Sequence, residues 1–220
     1  MALICVPLVE RTVEEDVKLA NSLDCDLVEV RLDYLASASG LERIKEINKP
    51  IIATCIPKWE GGLFMGSEEE RLRLLESCIP YCDYVTVEVG ADEEFRRDLI
   101  KKAKTRNVKV IMAFHDFKGT PSLDRIVDII KDEERVGADI AKVSFMANSR
   151  ADVLTLIRAL VECKSSIPII ALSMGEKGKV SRIIGPMFGS YLTFASSSKS
   201  KESAPGQLTL EEIRGFKHLW

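Results

Sequence analysis

Along this chain a short apolar stretch with strand character is followed by a stretch with helical periodicity, and the pair recurs eight times. Strands are expected at Ala2–Val6, Asp26–Leu32, Pro50–Ile56, Tyr84–Val89, Val108–Phe114, Asp139–Phe145, Ile167–Leu172 and Tyr191–Ala195. Helices are expected over about Thr12–Ser22, Leu41–Ile47, Ser67–Ile79, Asp92–Lys104, Ser122–Arg135, Arg150–Cys163 and Val180–Ile184, with Thr209–His218 closing the count. Thr12 with Glu15, Ser67 with Glu70 and Thr209 with Glu212 have the three-residue spacing of a capping box. Eight such alternations on one chain are the signature of a (β/α)8 barrel. A doubly wound open sheet is the alternative, and it fits less well because the Gly-x-Gly-x-x-Gly fingerprint is missing after the first strand. No linker and no repeat beyond the alternation is visible, so residues 1–220 are expected to form a single barrel domain.

The charge balance narrows the function. Thirty-one basic and 34 acidic residues leave a formal charge of −3, which favours neither nucleic acid nor an anionic membrane as partner. No apolar run approaches the roughly 20 residues of a bilayer span, and Met1 leads directly into the first strand, so a cytoplasmic protein is expected. The six cysteines sit mostly in apolar segments and read as reduced, while Cys78 and Cys82 have neither redox nor the usual zinc spacing. With only His115 and His218 available, a histidine-rich metal site is set aside and no metal is expected.

Barrel enzymes do their chemistry at the C-terminal ends of the strands, and strand parity decides which side chains reach it. Lys142 lies in the middle of Ala138-Asp139-Ile140-Ala141-Lys142-Val143-Ser144-Phe145, where buried charge calls for a reason. A stem lying on apolar surface with its ammonium in water accounts for it as readily as chemistry does. If Lys142 points inward, so do Ile140 and Ser144. On strand two, Glu29, Arg31 and Asp33 share one parity, and such alternate charges must face the barrel mouth or one another, with Arg31 as the expected shared partner. Thr86 and Glu88 repeat the pattern on strand four. A structural ion-pair network and a substrate site explain these charges equally well.

His115 ends strand five within Phe114-His115-Asp116-Phe117. Most lone histidines pack or cap, but this one shares a barrel end with Lys142. His218 falls in the last helical turn and is assigned no chemistry. Two long loops, Pro57–Gly66 and Ser196–Gly206, belong at the same end, although the Ser- and Lys-rich composition of the second also fits a disordered surface segment. An amine beside an imidazole points to covalent catalysis on a ketone or aldehyde. Burial disfavours the ammonium, lowering tuned catalytic lysines to roughly pKa 7–8. The free amine then attacks a carbonyl to give an iminium that acidifies the neighbouring carbon, and a histidine can take that proton.

Glu29-Val30-Arg31-Leu32-Asp33, Trp59-Glu60-Gly61-Gly62, Phe114-His115-Asp116-Phe117, Lys142, Ser181-Arg182 and Ser203-Ala204-Pro205-Gly206-Gln207 together resemble the type I 3-dehydroquinate dehydratases over nearly the whole chain. The resemblance implies a (β/α)8 barrel, commonly a homodimer, that removes water from 3-dehydroquinate to give 3-dehydroshikimate in the shikimate pathway without cofactor or metal. It implies that Lys142 forms the imine, that His115 is general base and then general acid, and that Glu60 orients His115. Arg182 is expected to clamp the substrate carboxylate, Glu29 and Arg31 to hold ring hydroxyls, and Ser203 and Gln207 to complete the pocket from a closing loop. Gly61, Gly62 and Gly206 would give the loops their freedom. Ile56 departs from the pattern, since an arginine is often found there, and Lys58 or Arg182 alone would have to supply the lost contact. Two other readings stand beside this one: a Schiff-base aldolase with an anion nest in Ser173-Met174-Gly175-Glu176-Lys177-Gly178, and an inactive barrel serving as an interaction partner.

Overall fold

The computed structural model describes residues 2–220; Met1, with which the expected domain begins, lies outside them. The strands are β1 (Leu3–Leu8), β2 (Leu27–Arg31), β3 (Ile51–Thr54), β4 (Tyr84–Glu88), β5 (Lys109–Asp116), β6 (Ile140–Met146), β7 (Ile169–Met174) and β8 (Leu192–Phe194). The helices are α1 (Val13–Ser22), α2 (Glu68–Cys78), α3 (Glu93–Thr105), α4 (Leu123–Arg135), α5 (Arg150–Glu162), α6 (Ser181–Met187) and α7 (Leu210–Arg214). All eight strands join one sheet in the order β7-β6-β5-β4-β3-β2-β1-β8. Each parallel pairing joins neighbours in the chain, and β8 returns to β1 through Leu3↔Leu192 to Cys5↔Phe194. The seam between β7 and β8 is held by Tyr191 N–H donating to Ile169 O at 2.8 Å and Ala171 N–H donating to Ser190 Oγ at 3.2 Å. The result is a nearly closed barrel, the architecture expected from the alternation.

Parity divides the strand residues into two populations. Val28, Val30, Ala53, Val85, Val87, Val110 and Met112 face outward and pack with Leu75 and Leu99 of α2 and α3. Ala141, Val143 and Phe145 do the same against Ile126, Ile130 and Leu156 of α4 and α5. The opposite parity, Leu27, Ile52, Ile111, Ile140, Ile170 and Leu192 with Cys5, fills the barrel floor. Each such side chain taken fully from water contributes ~1.5–3 kcal/mol, so the two apolar layers hold the cylinder from inside and outside.

The helix starts follow the spacing rules. Thr12 accepts from Glu15 N–H, and Ser67 with Glu70 and Thr209 with Glu212 form reciprocal capping boxes. Three features differ from expectation. The last helix, expected over Thr209–His218, ends at Arg214, and His218 lies in a separate 3-10 turn, Lys217–Leu219. The segment Leu41–Glu46 is a 3-10 helix, because it has only six residues between Gly40, which has φ 80°, and the extended Ile47. A repeat also exists at the N-terminal rim. Asp26, Asp83 and Asp139, each just before an even-numbered strand, accept the N–H groups of Ile4, Ile51 and Val110 on the preceding strand at 2.8, 2.9 and 2.8 Å. Ser190 does the same for Ala171 ahead of β8. One polar residue per strand pair carries this repeat, too little to register as sequence similarity. Among the described residues no helix is long and apolar enough to cross a membrane.

Candidate active site

Toward the C-terminal ends of the strands the inward positions change from apolar to polar: Leu27 gives way to Glu29 and Arg31 on β2, Ile111 to His115 on β5, and Ile140 to Lys142 and Ser144 on β6. Ala113 pairs with Lys142 and His115 with Ser144, so His115 stands one layer above Lys142 on the adjoining strand. Lys142, His115, Glu60, Glu29, Arg31, Arg182, Ser203 and Gln207 all line a single pocket at this mouth. All eight residues expected in catalytic or substrate-binding roles are therefore brought together, while Asp33, Thr86 and Glu88 do not line this pocket.

Lys142 is buried, with Nζ 3.9 Å from Glu29 Oε1 and 4.5 Å from the centre of the Phe194 ring. The ion pair is too long for a hydrogen bond, and an aromatic face leaves nitrogen chemistry available. His115 Nδ1 lies 2.8 Å from Glu60 Oε2, which fixes the ring plane and turns the other nitrogen toward the pocket. Burial, with the Lys142 and Arg31 cations adding to it, holds His115 well below the ordinary histidine range, so the ring is neutral near pH 7. Burial, reinforced by the charge of Glu88, pushes Glu60 up to about 9.

Arg31 is not shared among the strand-two carboxylates as expected. It donates from Nε and Nη2 to both oxygens of Asp33 at 2.9 and 2.7 Å, while Glu29 takes its hydrogen bond from the Thr54 hydroxyl at 2.9 Å. Burial opposes the charge on Arg31, but the hydrogen bonds and charge of Asp33 outweigh it and hold the guanidinium above its usual range. Asp33 Oδ2 also accepts from Leu63 N–H at 3.1 Å, tying the loop that carries Glu60 to β2. Arg182 is different. It donates from Nε to Gly206 O at 3.1 Å and from Nη1 to Phe194 O at 3.3 Å, and no carboxylate pairs with it among the described residues. Burial lowers it to about 10, with the charge of Glu202 only partly opposing the shift.

The loop after β8 is folded over the pocket. Pro205 O accepts from Gly175 N–H at 2.9 Å, Gln207 Nε2 donates to Ser203 Oγ at 3.1 Å, and Lys201 reaches Glu10 at 2.7 Å. Gly206 has φ 75°, and a Cβ there would lie 2.3 Å from Gly175 O. Gly61, at φ 81°, would drive a Cβ to 2.4 Å from the Phe117 ring. Both loops thus need glycine for closure. The Gly175 N–H that an anion nest would use is spent on Pro205, which removes the geometric basis for a phosphate there. Lys58 is exposed and does not line the pocket next to Ile56. A guanidinium does reach this strand end from α2: Arg71, fully buried, donates to Cys55 O at 3.1 Å and to Glu88 at 2.5 Å.

Ser144 lines the pocket as its parity with Lys142 implies, and Phe117 and Ala204 line it from within the quoted motifs without having been given a role, whereas Leu172, Met174 and Phe194 were not singled out. Leu172, Met174 and Phe194 are inward positions at strand ends and were available from the parity rule, but apolar side chains gave no reason to single them out.

A polar, cation-rich pocket holding a buried lysine and a neutral imidazole at the strand C-termini defines a (β/α)8-barrel enzyme acting on a small polar molecule. The family model described as Type I 3-dehydroquinase matches residues 4–219, and the chain belongs to that family and is an enzyme of that type. It is 39% identical, over 99% of its length and 97% of the relative, to a 3-dehydroquinate dehydratase of Methanocaldococcus jannaschii. Its fold superposes with a TM-score of 0.90 on the crystal structure of 3-dehydroquinate dehydratase from Geobacillus kaustophilus HTA426, at 31% identity and covering 100% of this chain and 91% of that one. The type I enzyme from Clostridium difficile, described with covalent modified comenic acid, matches at 29% identity and a TM-score of 0.89, covering 99% and 91% of the two chains.

Proposed function

We propose that this enzyme removes water from 3-dehydroquinate to give 3-dehydroshikimate through an imine on Lys142, with residues 1–220 acting as one catalytic domain. The observation that carries the reading is the placement of the Lys142 amine beneath a neutral His115 that is oriented by Glu60. The Lys142 nitrogen adds to the ketone carbon, water leaves, and the iminium withdraws electrons from the neighbouring carbon. His115 takes the proton from that carbon, and the C–H electron pair enters the ring as an enamine. The enamine then expels the hydroxyl on the next carbon, which leaves as water with the proton that His115 returns. Hydrolysis of the iminium frees the conjugated ketone and restores the amine. The iminium is itself the electron sink, so the scheme uses neither cofactor nor metal.

Arg182 supplies the anchor for the substrate carboxylate, because its fork has unspent donors and no carboxylate partner among the described residues. Glu29 and Arg31 face the ring hydroxyls, and Ser203 and Gln207 close over the carboxylate end. The family likeness is what supports a cytoplasmic homodimer in the shikimate pathway. The test is to add 3-dehydroquinate and follow the enone absorbance of the product, then repeat with borohydride and locate the adduct by peptide mass spectrometry. An adduct on Lys142 with loss of activity is expected. No absorbance change from folded protein sinks the proposal.

A further inference from the structure

Glu29, Thr54 and Thr86 occupy inward positions on β2, β3 and β4, and all three are buried. Thr54 Oγ1 lies 2.9 Å from Glu29 Oε1 and 3.0 Å from Thr86 Oγ1. A hydroxyl has one proton to donate, so the two contacts allow only two directions. Either Thr86 donates to Thr54 and Thr54 to an ionised Glu29, or a protonated Glu29 donates to Thr54 and Thr54 to Thr86. Both use the same heavy-atom positions and make two hydrogen bonds, and the bond to the ionised carboxylate is the stronger one. At its end, Glu29 Oε1 is 3.9 Å from Lys142 Nζ, the one ion pair that Lys142 makes among the described residues. The other ionisable groups around the row are Arg31 on β2, Cys5 on β1, Glu88 on β4 paired with Arg71 of α2, His115 with Glu60, and Glu133 on α4. Cys5 stays a thiol because burial raises it, and His115 stays neutral, so neither competes for the proton.

We propose that Glu29 takes the ammonium proton of Lys142, and that Thr54, backed by Thr86, is a positioning residue that lets Glu29 exist in both protonation states. The inference rests on the reading of Lys142 as the nucleophile. In the transfer an N–H bond of the ammonium breaks, its electron pair stays on nitrogen as the nucleophilic lone pair, and an O–H bond forms on Glu29. A buried ion pair becomes two neutral groups, and the hydroxyl row reverses direction without moving a heavy atom. Glu29 gives the proton back when the carbinolamine hydroxyl departs as water, so the exchange of ammonium and ketone for iminium and water balances.

The test is the rate of cyanoborohydride trapping with 3-dehydroquinate between pH 5 and 8, for the wild type and for Thr54→Val, Thr54→Ser, Thr86→Val, Glu29→Gln and Lys142→Ala. Valine keeps the shape of threonine and removes the donor, so the ionised form of Glu29 loses its hydrogen bond. The acidic limb of trapping in Thr54→Val should move up by about one unit, with trapping about tenfold slower along that limb. Thr54→Ser should return to within about twofold of wild type, Thr86→Val should shift the limb the same way by less, and Glu29→Gln should lose the limb. If Thr54→Val does not fold, the Thr86→Val shift carries the same decision. A Thr54→Val profile that overlays the wild type, an unshifted Thr86→Val, or a Thr54→Ser as slow as the valine variant overturns the inference. No adduct on wild-type Lys142, or an adduct in Lys142→Ala, overturns the underlying reading instead.

Discussion

The two sides of the barrel mouth treat buried charge in opposite ways. On the side of β2 and β4, Arg31 is held by both oxygens of Asp33, and Arg71 by Glu88 and Glu68, so each guanidinium is neutralised from within the protein. On the side of β6 to β8, among the described residues, Arg182 hydrogen-bonds only to carbonyl oxygens and Lys142 has only a distant ionic partner. The same residue type, arginine, is pushed above its ordinary range on one side and lowered to about 10 on the other. A buried cation with its own anion is structure, whereas one without an anion is a place for a ligand's charge. Substitutions on the two sides should therefore damage different properties.

The largest effect is expected from Lys142→Ala, which should lower turnover by at least ~10⁴-fold, as loss of a covalent nucleophile does, and leave no reducible adduct. Turnover within tenfold of wild type would remove Lys142 from the chemistry. His115→Ala should slow the reaction by ~10²–10⁴-fold while still allowing the adduct to form. The histidine also brings a pH dependence. Glu60 must be ionised to hold the Nδ1 proton and leave the other ring nitrogen free as a base, and Glu60 is pushed up to about 9. The activity of the free enzyme should accordingly rise from neutral pH toward about 9, and Glu60→Gln should abolish that rise. A flat profile over this range would separate Glu60 from the proton transfer.

The two arginines test the comparison directly. Arg71→Met leaves Glu88 buried and unpaired, and breaking such a pair costs ~3–5 kcal/mol, read as a drop in Tm or in the urea midpoint. Arg182→Met should leave stability unchanged or slightly higher and lower kcat/KM by ~10²-fold, the loss of a charge-assisted contact, mainly through KM. If Arg182→Met is the variant that unfolds, the division between structural and ligand-facing cations is wrong.

Much of this was legible in the sequence because strand parity is rigid. A period of two sends Glu29, Arg31, Lys142 and His115 to the same side whatever else the fold does, and the barrel brings those sides together. Arg71, Thr54 and Glu133 were not legible for a shared reason. Arg71 stands in Glu68-Glu69-Glu70-Arg71 and Glu133 in Lys131-Asp132-Glu133-Glu134-Arg135, runs that read as solvated helix faces. Which member of a charged run turns inward depends on what the strand beneath presents: Glu88 draws Arg71 in, and the row from Glu29 to Thr86 gives Thr54 a role that its own neighbours do not announce.

Glu133 is a third kind of buried charge and gives the smallest expected effect. It lies on α4 behind β6, wholly buried, and among the described residues neither carboxyl oxygen has a hydrogen-bond partner. Burial raises it well above the ordinary glutamate range; the Lys142 backbone N–H is near enough to favour the ionised form but is not aligned as a hydrogen bond. With no cation in contact among the described residues, Glu133 stays protonated in the fold. As pH rises through ~4.5 the unfolded chain releases this proton while the folded chain keeps it, so the wild type loses stability with rising pH until the raised value is passed. Glu133→Met removes that dependence. The gain of the variant over the wild type should grow between pH 4 and pH 8, read as a rise in its Tm relative to the wild type of ~2–4 °C for each kcal/mol. A gain that is the same at both pH values would mean better packing alone, and a loss at pH 8 would mean that Glu133 has a partner when ionised.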